Sequence, residues 1–241
     1  MLHTIRRWWG TAGGIRQNGG LSALLWATCL YPIRRILVCK TFNLYEHHVK
    51  QDLGSDEPLP NIGAGEINFK VVSSNQEADK LESENYRFRS YPTDRNFGGL
   101  YARRLEQGAI AFCTFVGTEL AAISWIIPSQ HTQDSMKAPP IKIDYANHEG
   151  LSRAAWVNPK YRGLGLYGYN RRNRDLYLAD IGVDVIRTCI EPSNKAGMGL
   201  WQDSSSRKYG RARQLKILFW RSWKETYMQI EDTPSLTRKG H

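Results

Sequence analysis

A strand that runs into proline, then two glycines one residue apart, then a helix: this stretch constrains the chain more than any other. Ser152–Val157 reads as a short strand. Asn158-Pro159 closes it, because proline has no N–H for a ladder and biases the residue before it towards extended geometry. Lys160-Tyr161-Arg162-Gly163-Leu164-Gly165-Leu166-Tyr167 follows, and a helix is expected from there to about Ile181, with Gly182 as its C′ residue. Asp184–Glu191 reads as a second apolar strand, closed by Pro192. A glycine loop at a helix N-terminus is where backbone N–H groups and the helix dipole can hold a phosphate, and Arg162 adds positive charge at its mouth. A simple tight turn is the plainer use of the same glycines. The loop is not a Rossmann fingerprint, since the third glycine and an acidic residue about 20 positions on are missing, nor a P-loop, since no GK[ST] follows.

Upstream, the clearest hairpin of the chain is Ala109–Val116, a Gly117-Thr118 turn, and Glu119–Ile127, both arms rich in Ile, Val and Phe and bounded by Gly and Pro. Ile67–Val72 reads as a strand, with Ser73 and Ser74 offering caps for a helix over 76–85; residues 93–107 also read as helix. The polar stretch 130–140 reads as the least structured part. Gly54-Ser55-Asp56-Glu57-Pro58-Leu59-Pro60 and Gly63-Ala64-Gly65 are breaker chemistry, and the domain boundary is placed there.

The combination resembles the GNAT superfamily of N-acetyltransferases. Val157-Asn158-Pro159-Lys160-Tyr161-Arg162-Gly163-Leu164-Gly165-Leu166-Tyr167 is similar to the family's "V-x-P-x-[YF]-R-G-x-G" run, and Glu191-Pro192-Ser193-Asn194-Lys195-Ala196 to its second motif, "x-x-x-N-x-x-[AS]". The resemblance covers roughly residues 66–222. It implies an α/β (α+β) fold with a central mixed, mostly antiparallel sheet flanked by helices. The expected organisation is a basic, amphipathic helical N-terminal extension and linker (1–60), a GNAT-like domain (61–225) and a polar tail (226–241). It also implies an acetyl group, or another short acyl group, passed from acetyl-coenzyme A to an amine, with no metal. Arg162, Gly163, Leu164, Gly165, Leu166 and Tyr167 would hold the pyrophosphate, backbone near Trp156 and Val157 would meet the thioester carbonyl, and Asn194 would lie beside the pantetheine arm. The chain departs from the family where a tyrosine often protonates the departing thiolate: Trp201 stands there, seven residues after Asn194. Ser205-Ser206 replaces the Gly-Phe that usually follows, and Tyr167 ends the loop in place of Gly or Ala.

Acyl transfer from a thioester to an amine needs an amine without its extra proton, since an ammonium with a pKa near ~10 has no lone pair to attack with. It also needs a donor for the developing oxyanion and an exit for the thiolate. Asp144, His148 and Glu149, just before the strand, are the candidate bases; solvated loop residues are the plainer reading of each. Tyr169, Ser193 and Tyr209 are the candidate proton donors. No Ser-His-Asp or Cys-His arrangement is legible, so direct attack in a ternary complex is the simpler mechanism. The four cysteines form no CxxC pair, which argues against a zinc site or a disulfide scaffold and for reduced thiols in a cytoplasmic protein.

Charge is uneven: residues 1–50 and 205–241 each carry a net +6, leaving −2 between them. Basic ends attract phosphates, anionic lipid or an acidic partner. Arg207, Lys208, Arg211, Arg213 and Lys216 read either as a solvated strand face or as a surface for coenzyme A phosphate or an acyl carrier protein, which would make the enzyme a long-chain N-acyltransferase. At the N-terminus, a basic stretch precedes a 13-residue apolar run, Leu21–Ile33, in outline a signal peptide. Pro32 inside it, Arg34-Arg35 after it and the lack of a small-x-small site argue instead for an amphipathic helical hairpin. The other reading is a helix on an anionic membrane with Trp8, Trp9 and Trp26 as anchors, a peripheral membrane contact. A non-catalytic GNAT scaffold and nucleic-acid binding through the basic ends are weaker alternatives. The acceptor, a small-molecule or peptide amine, is not named by the sequence; Tyr86, Arg87, Arg89, Tyr91 and Arg95 hint at an anionic or aromatic one.

Overall fold

Alternation and turn chemistry produce the first half of the sheet. In the computed structural model, which describes residues 37–51, 60, 66–89, 100–202, 206–217 and 219–228, strands β2 (Ile67–Val72), β3 (Ile110–Val116) and β4 (Glu119–Ile127) pair antiparallel in succession. Gly117, at φ +58°, makes the turn between β3 and β4. The odd residues of β3 and their partners, Ala111, Cys113, Phe115, Ile123 and Trp125, pack one face against helices α1 (Asn75–Ser83) and α2 (Leu100–Glu106). Ser74 caps α1 by accepting from the Glu77 N–H.

The other face carries helix α4 (Leu166–Asp180). It bonds the sheet through Asn170, whose Nδ2 donates to Phe112 O at 2.9 Å and whose Oδ1 accepts from Ser124 Oγ at 2.7 Å. Strand β5 (Glu149–Val157) continues the sheet antiparallel to β4, and β6 (Val185–Ile190) lies parallel to β5. Strand β1 (Leu37–His48) pairs antiparallel with β6, Asn43 opposite Ile190 and His48 opposite Val185. With β7 (Arg207–Ile217) and β8 (Trp220–Tyr227), the strand order is β2-β3-β4-β5-β6-β1-β7-β8. This mixed, mostly antiparallel sheet flanked by helices is the fold class that the sequence resemblance implies. Among the described residues the chain packs as two units, one within 42–211 together with 226–228, and one of 37–41 with residues of 212–225.

Two expectations are corrected. The extension read as helical contributes a strand over Leu37–His48, buried on both faces only in its second half, at Phe42, Leu44, Tyr45, Glu46 and His47; its apolar run and Trp8, Trp9 and Trp26 lie outside the described residues. The stretch 130–140 contains helix α3 (Gln130–Ser135), because Ser129 caps it by accepting from the Thr132 N–H, and Thr132 and Gln133 are buried. Gln133 Nε2 then donates to the carbonyls of Pro139 and Ile141, so polar side chains fold the segment from within. Helix α5 (Lys195–Gln202) follows β6.

Candidate functional site

Strands β5 and β6 start as neighbours and then part. Their pairing runs only from Glu149 opposite Val185 to Leu151 opposite Arg187. Thr188 Oγ1 closes one further rung, donating to Ser152 O at 2.9 Å. Beyond it, Ala154 adopts φ +54° and the β4–β5 register shifts, which makes Ala154 the extra residue of a β-bulge. An alanine in the left-handed region is costly, so the surroundings hold it there. Ala154 and Ala155 are exposed although their strand lies between two others, so the divergence opens a cleft.

Backbone groups line that cleft. Asn158 N–H donates to Ala121 O at 2.8 Å, so Asn158 faces β4. Antiparallel alternation then turns the N–H and C=O of Val157 and Ala155 away from β4, and those of Trp156 towards it. The Val157 carbonyl accepts from Arg162 Nε at 3.3 Å, as that geometry requires. Of the expected pair, Val157 presents its N–H to the open side, while the Trp156 ring packs on the core beneath α1 and α2.

The glycine loop continues from the same strand. Tyr161 is buried among Ala121, Ala122 and Leu166, and Arg162, Gly163, Leu164 and Gly165 are exposed. Gly163 and Gly165 both adopt φ +78°, and Gly165 is the N-cap of α4. A Cβ on Gly163 would meet nothing within 4 Å, so its glycine is required by the backbone angle and leaves an open approach. The first N–H groups of a helix have no acceptor within it, and in α4 these belong to Leu166, Tyr167 and Gly168. Glu119, which the sequence reading did not single out, fixes the base of the loop: its carboxylate accepts from Lys160 Nζ (2.8 Å), Tyr161 Oη (2.7 Å) and Asn158 Nδ2 (3.3 Å). The Lys160 and Tyr161 bonds hold its carboxyl below the usual range.

Past β6, Asn194 is exposed and caps α5, its Oδ1 accepting from Gly197 N–H at 3.0 Å. Trp201 is buried, its ring 6.3 Å from Tyr45 and 6.5 Å from His47. It serves the core where a proton donor would be expected.

The candidate bases gather at the start of β5. Asp144 spends its carboxylate on Asn147, accepting from its N–H (3.2 Å) and its Nδ2 (2.7 Å). His148 adopts φ +63°, and its carbonyl accepts from Asp184 N–H at 2.8 Å. Glu149 alone stands on the strand, where its carboxylate accepts from Asp144 N–H (2.7 Å) and pairs with Arg187 (2.8 Å). Arg187 in turn faces Glu46 at 3.7 Å, and Glu46 pairs with Arg207. These four side chains form an alternating charge row across β5, β6, β1 and β7. Tyr209 joins it from β7, with the Arg187 guanidinium 5.2 Å over its ring and Tyr227 stacked at 6.1 Å. Arg187 was legible only as a charge interrupting an apolar run, and Glu46 gave no signal beside His47 and His48. Tyr169 presents its carbonyl to Asn173 Nδ2, and Ser193 is exposed before Asn194.

Two of the residues read as an acceptor hint make contacts within the fold. Tyr86 packs edge-on against Phe115 at 4.8 Å, and Arg89 pairs with Asp79 and Glu82, so both serve the fold; Tyr91 and Arg95 lie outside the described residues. Among the described residues, no cluster of His, Cys, Asp and Glu could hold a metal, and no helix is long and apolar enough to cross a membrane.

No known family model matches the chain, and no curated protein matches it. Among solved structures it is similar to a functionally unknown conserved protein from Staphylococcus epidermidis (12% identity, TM-score 0.47, covering 80% of this chain and 68% of that one). It is also similar to a GCN5-related N-acetyltransferase from Kribbella flavida (12%, 0.43, 83% and 64%). A third is a GNAT-family acetyltransferase from Colwellia psychrerythraea (12%, 0.45, 75% and 57%). The chain thus spans between 57% and 68% of the length of these proteins.

Proposed function

We propose that this chain is a GNAT-type N-acyltransferase that passes an acetyl or other short acyl group from acyl-coenzyme A to an amine, by direct attack in a ternary complex. One observation carries the reading: β5 bulges at Ala154 and leaves β6 at the point where it leads into the exposed Arg162–Gly165 loop.

The residues fit coenzyme A. The loop offers an exposed guanidinium, two glycines that let the backbone approach closely, and the unpaired end of a 15-residue helix, the chemistry of a pyrophosphate cradle. Arg162 and the backbone from Gly163 to Tyr167 would hold it, and Asn194 would lie beside the pantetheine arm. When bound, the coenzyme supplies an acyl group activated as a thioester. The Val157 and Ala155 N–H groups face the cleft and are placed to donate to oxygen, and a positioned donor of this kind contributes about 3 kcal/mol to acyl transfer. Glu149 takes the proton of the amine, through water, because it is the candidate carboxylate that lies on the cleft strand. Arg187 keeps it oriented, and Tyr209 supports Arg187. Trp201 provides no proton, so the thiolate leaves without help from that position.

A thermal-shift titration with acetyl-coenzyme A tests this, run beside a long-chain acyl-coenzyme A. A ligand at 100 times its Kd contributes roughly 2.7 kcal/mol, a plainly visible shift. Arg162→Glu should abolish the shift while leaving the unliganded Tm near that of wild type, since the side chain is exposed. A shift with the long-chain thioester alone would favour the acyl-carrier reading, and no shift with either would sink the coenzyme assignment. With an amine panel and thiol release as readout, Glu149→Gln should lower kcat by about 100-fold or more without weakening acetyl-coenzyme A binding.

A further inference from the structure

The second packed unit carries a surface that holds none of the residues assigned a part in the proposed acyl transfer. Its described residues are Leu37–Thr41 and the arms of the β7–β8 hairpin within Ala212–Glu225. At the hairpin tip Phe219 is 96% exposed and Trp220 56%, with Ile217 also exposed. Behind the tip stand Lys40, Arg213, Lys216, Arg221 and Lys224, against the single carboxylate of Glu225, which accepts from Trp223 Nε1 at 2.8 Å.

We propose that this hairpin tip docks on an anionic lipid surface. Two aromatic rings projecting ahead of a basic band match the layering of such a leaflet, where acyl chains lie beneath a sheet of phosphates. Trp and Phe enter the interfacial region, and Lys and Arg stay at headgroup level. A nucleic acid would be served by aromatics set into a basic groove, where bases can stack, whereas Phe219 protrudes with nearly all its surface in water. This rests on the second unit alone and is independent of the acyltransferase reading.

The test is co-sedimentation of the full chain with vesicles of phosphatidylcholine alone, or of phosphatidylcholine with phosphatidylglycerol, with single-stranded and duplex oligonucleotides as separate ligands. Sedimentation with the anionic vesicles only, weakening as salt rises, is expected. Phe219→Ser with Trp220→Ser, and separately Lys216→Glu with Arg221→Glu, should each lower the partition by roughly tenfold or more. Phe219→Ser alone perturbs the fold least and decides the matter where a double variant does not fold. The proposal is overturned by no sedimentation, by equal binding to neutral vesicles, or by tighter binding to oligonucleotides that the same variants abolish. It is equally overturned by variants that sediment like wild type, which would move the contact to another part of the chain.

Discussion

Glu119 shows how one side chain sets the candidate site without touching a ligand. It opens β4, one turn away from the strand it pairs with, yet its carboxylate gathers Asn158, Lys160 and Tyr161 from the loop base. Ion pairs this open to water contribute little to stability, so its effect is on where Arg162 and the loop backbone point. Glu119→Gln should therefore leave Tm near wild type and weaken acetyl-coenzyme A binding by roughly tenfold, as the loss of charge-assisted bonds at a positioning group would. Calorimetric titration of both proteins checks it, and unchanged affinity would show that the loop holds its shape without the tether. The sequence displayed the loop plainly, because Arg162, Gly163 and Gly165 are neighbours in the chain. Glu119 stayed hidden because its partners lie about forty positions away, and a carboxylate at a hairpin turn is ordinary turn chemistry.

At the scale of elements, strand β1 and helix α4 are joined by a buried polar cluster. His47 Nε2 meets Asp175 Oδ2 at 3.0 Å and Arg174 Nη2 meets Asp175 Oδ1 at 2.8 Å, with all three side chains about 1% exposed. Burial alone pushes the Asp175 carboxyl up, but the Arg174 charge and the His47 bond outweigh it, and the net shift is downward. A depressed carboxyl stabilises the fold fully above its unfolded value of about 3.9, and that contribution is lost as pH falls through the lower folded value. Wild type should thus lose stability steeply on acidification below about pH 4. Asp175→Asn should lose about 3–5 kcal/mol at neutral pH, because Arg174 is left buried without its counter-charge, and should show a flatter acid limb. Urea melts across the acid range read both, and parallel pH curves for the two proteins would refute the linkage. This joint also explains which elements were legible. The β3–β4 hairpin declares itself through β-branched arms around Gly117 and pairs with its own neighbour in sequence. In β1, Phe42, Leu44, Tyr45, Glu46 and His47 are all buried, so both faces are covered and the period-two pattern vanishes. Its partners stand far away in the chain, as Asn43 opposite Ile190 shows, and its buried charges make sense only once Asp175, Arg187 and Arg207 are in place.

For the whole molecule, the place of β1 decides what the smallest folding chain is. Composition and breaker residues put a boundary near residue 61, yet the strand order sets β1 between β6 and β7, so residues before that boundary complete the sheet that carries the cleft. Fully burying Phe42, Leu44 and Val49 contributes about 1.5–3 kcal/mol each. Together these rival the roughly 5–15 kcal/mol of net stability typical of a domain. Removing the strand also strips Asp175 of His47, frees the edge of β6 and leaves Arg187 and Arg207 without Glu46. A chain beginning at residue 61 should therefore show no cooperative thermal transition, and acetyl-coenzyme A should not restore one. A chain beginning at residue 37 keeps the strand and should melt cooperatively and respond to acetyl-coenzyme A. Circular dichroism melts of the two, with and without the thioester, separate the cases. A cooperative, ligand-stabilised melt from the shorter chain would mean that β5, β6 and the Arg162–Gly165 loop form the cleft without the strand between β6 and β7, and that β1 is an addition to a fold already complete.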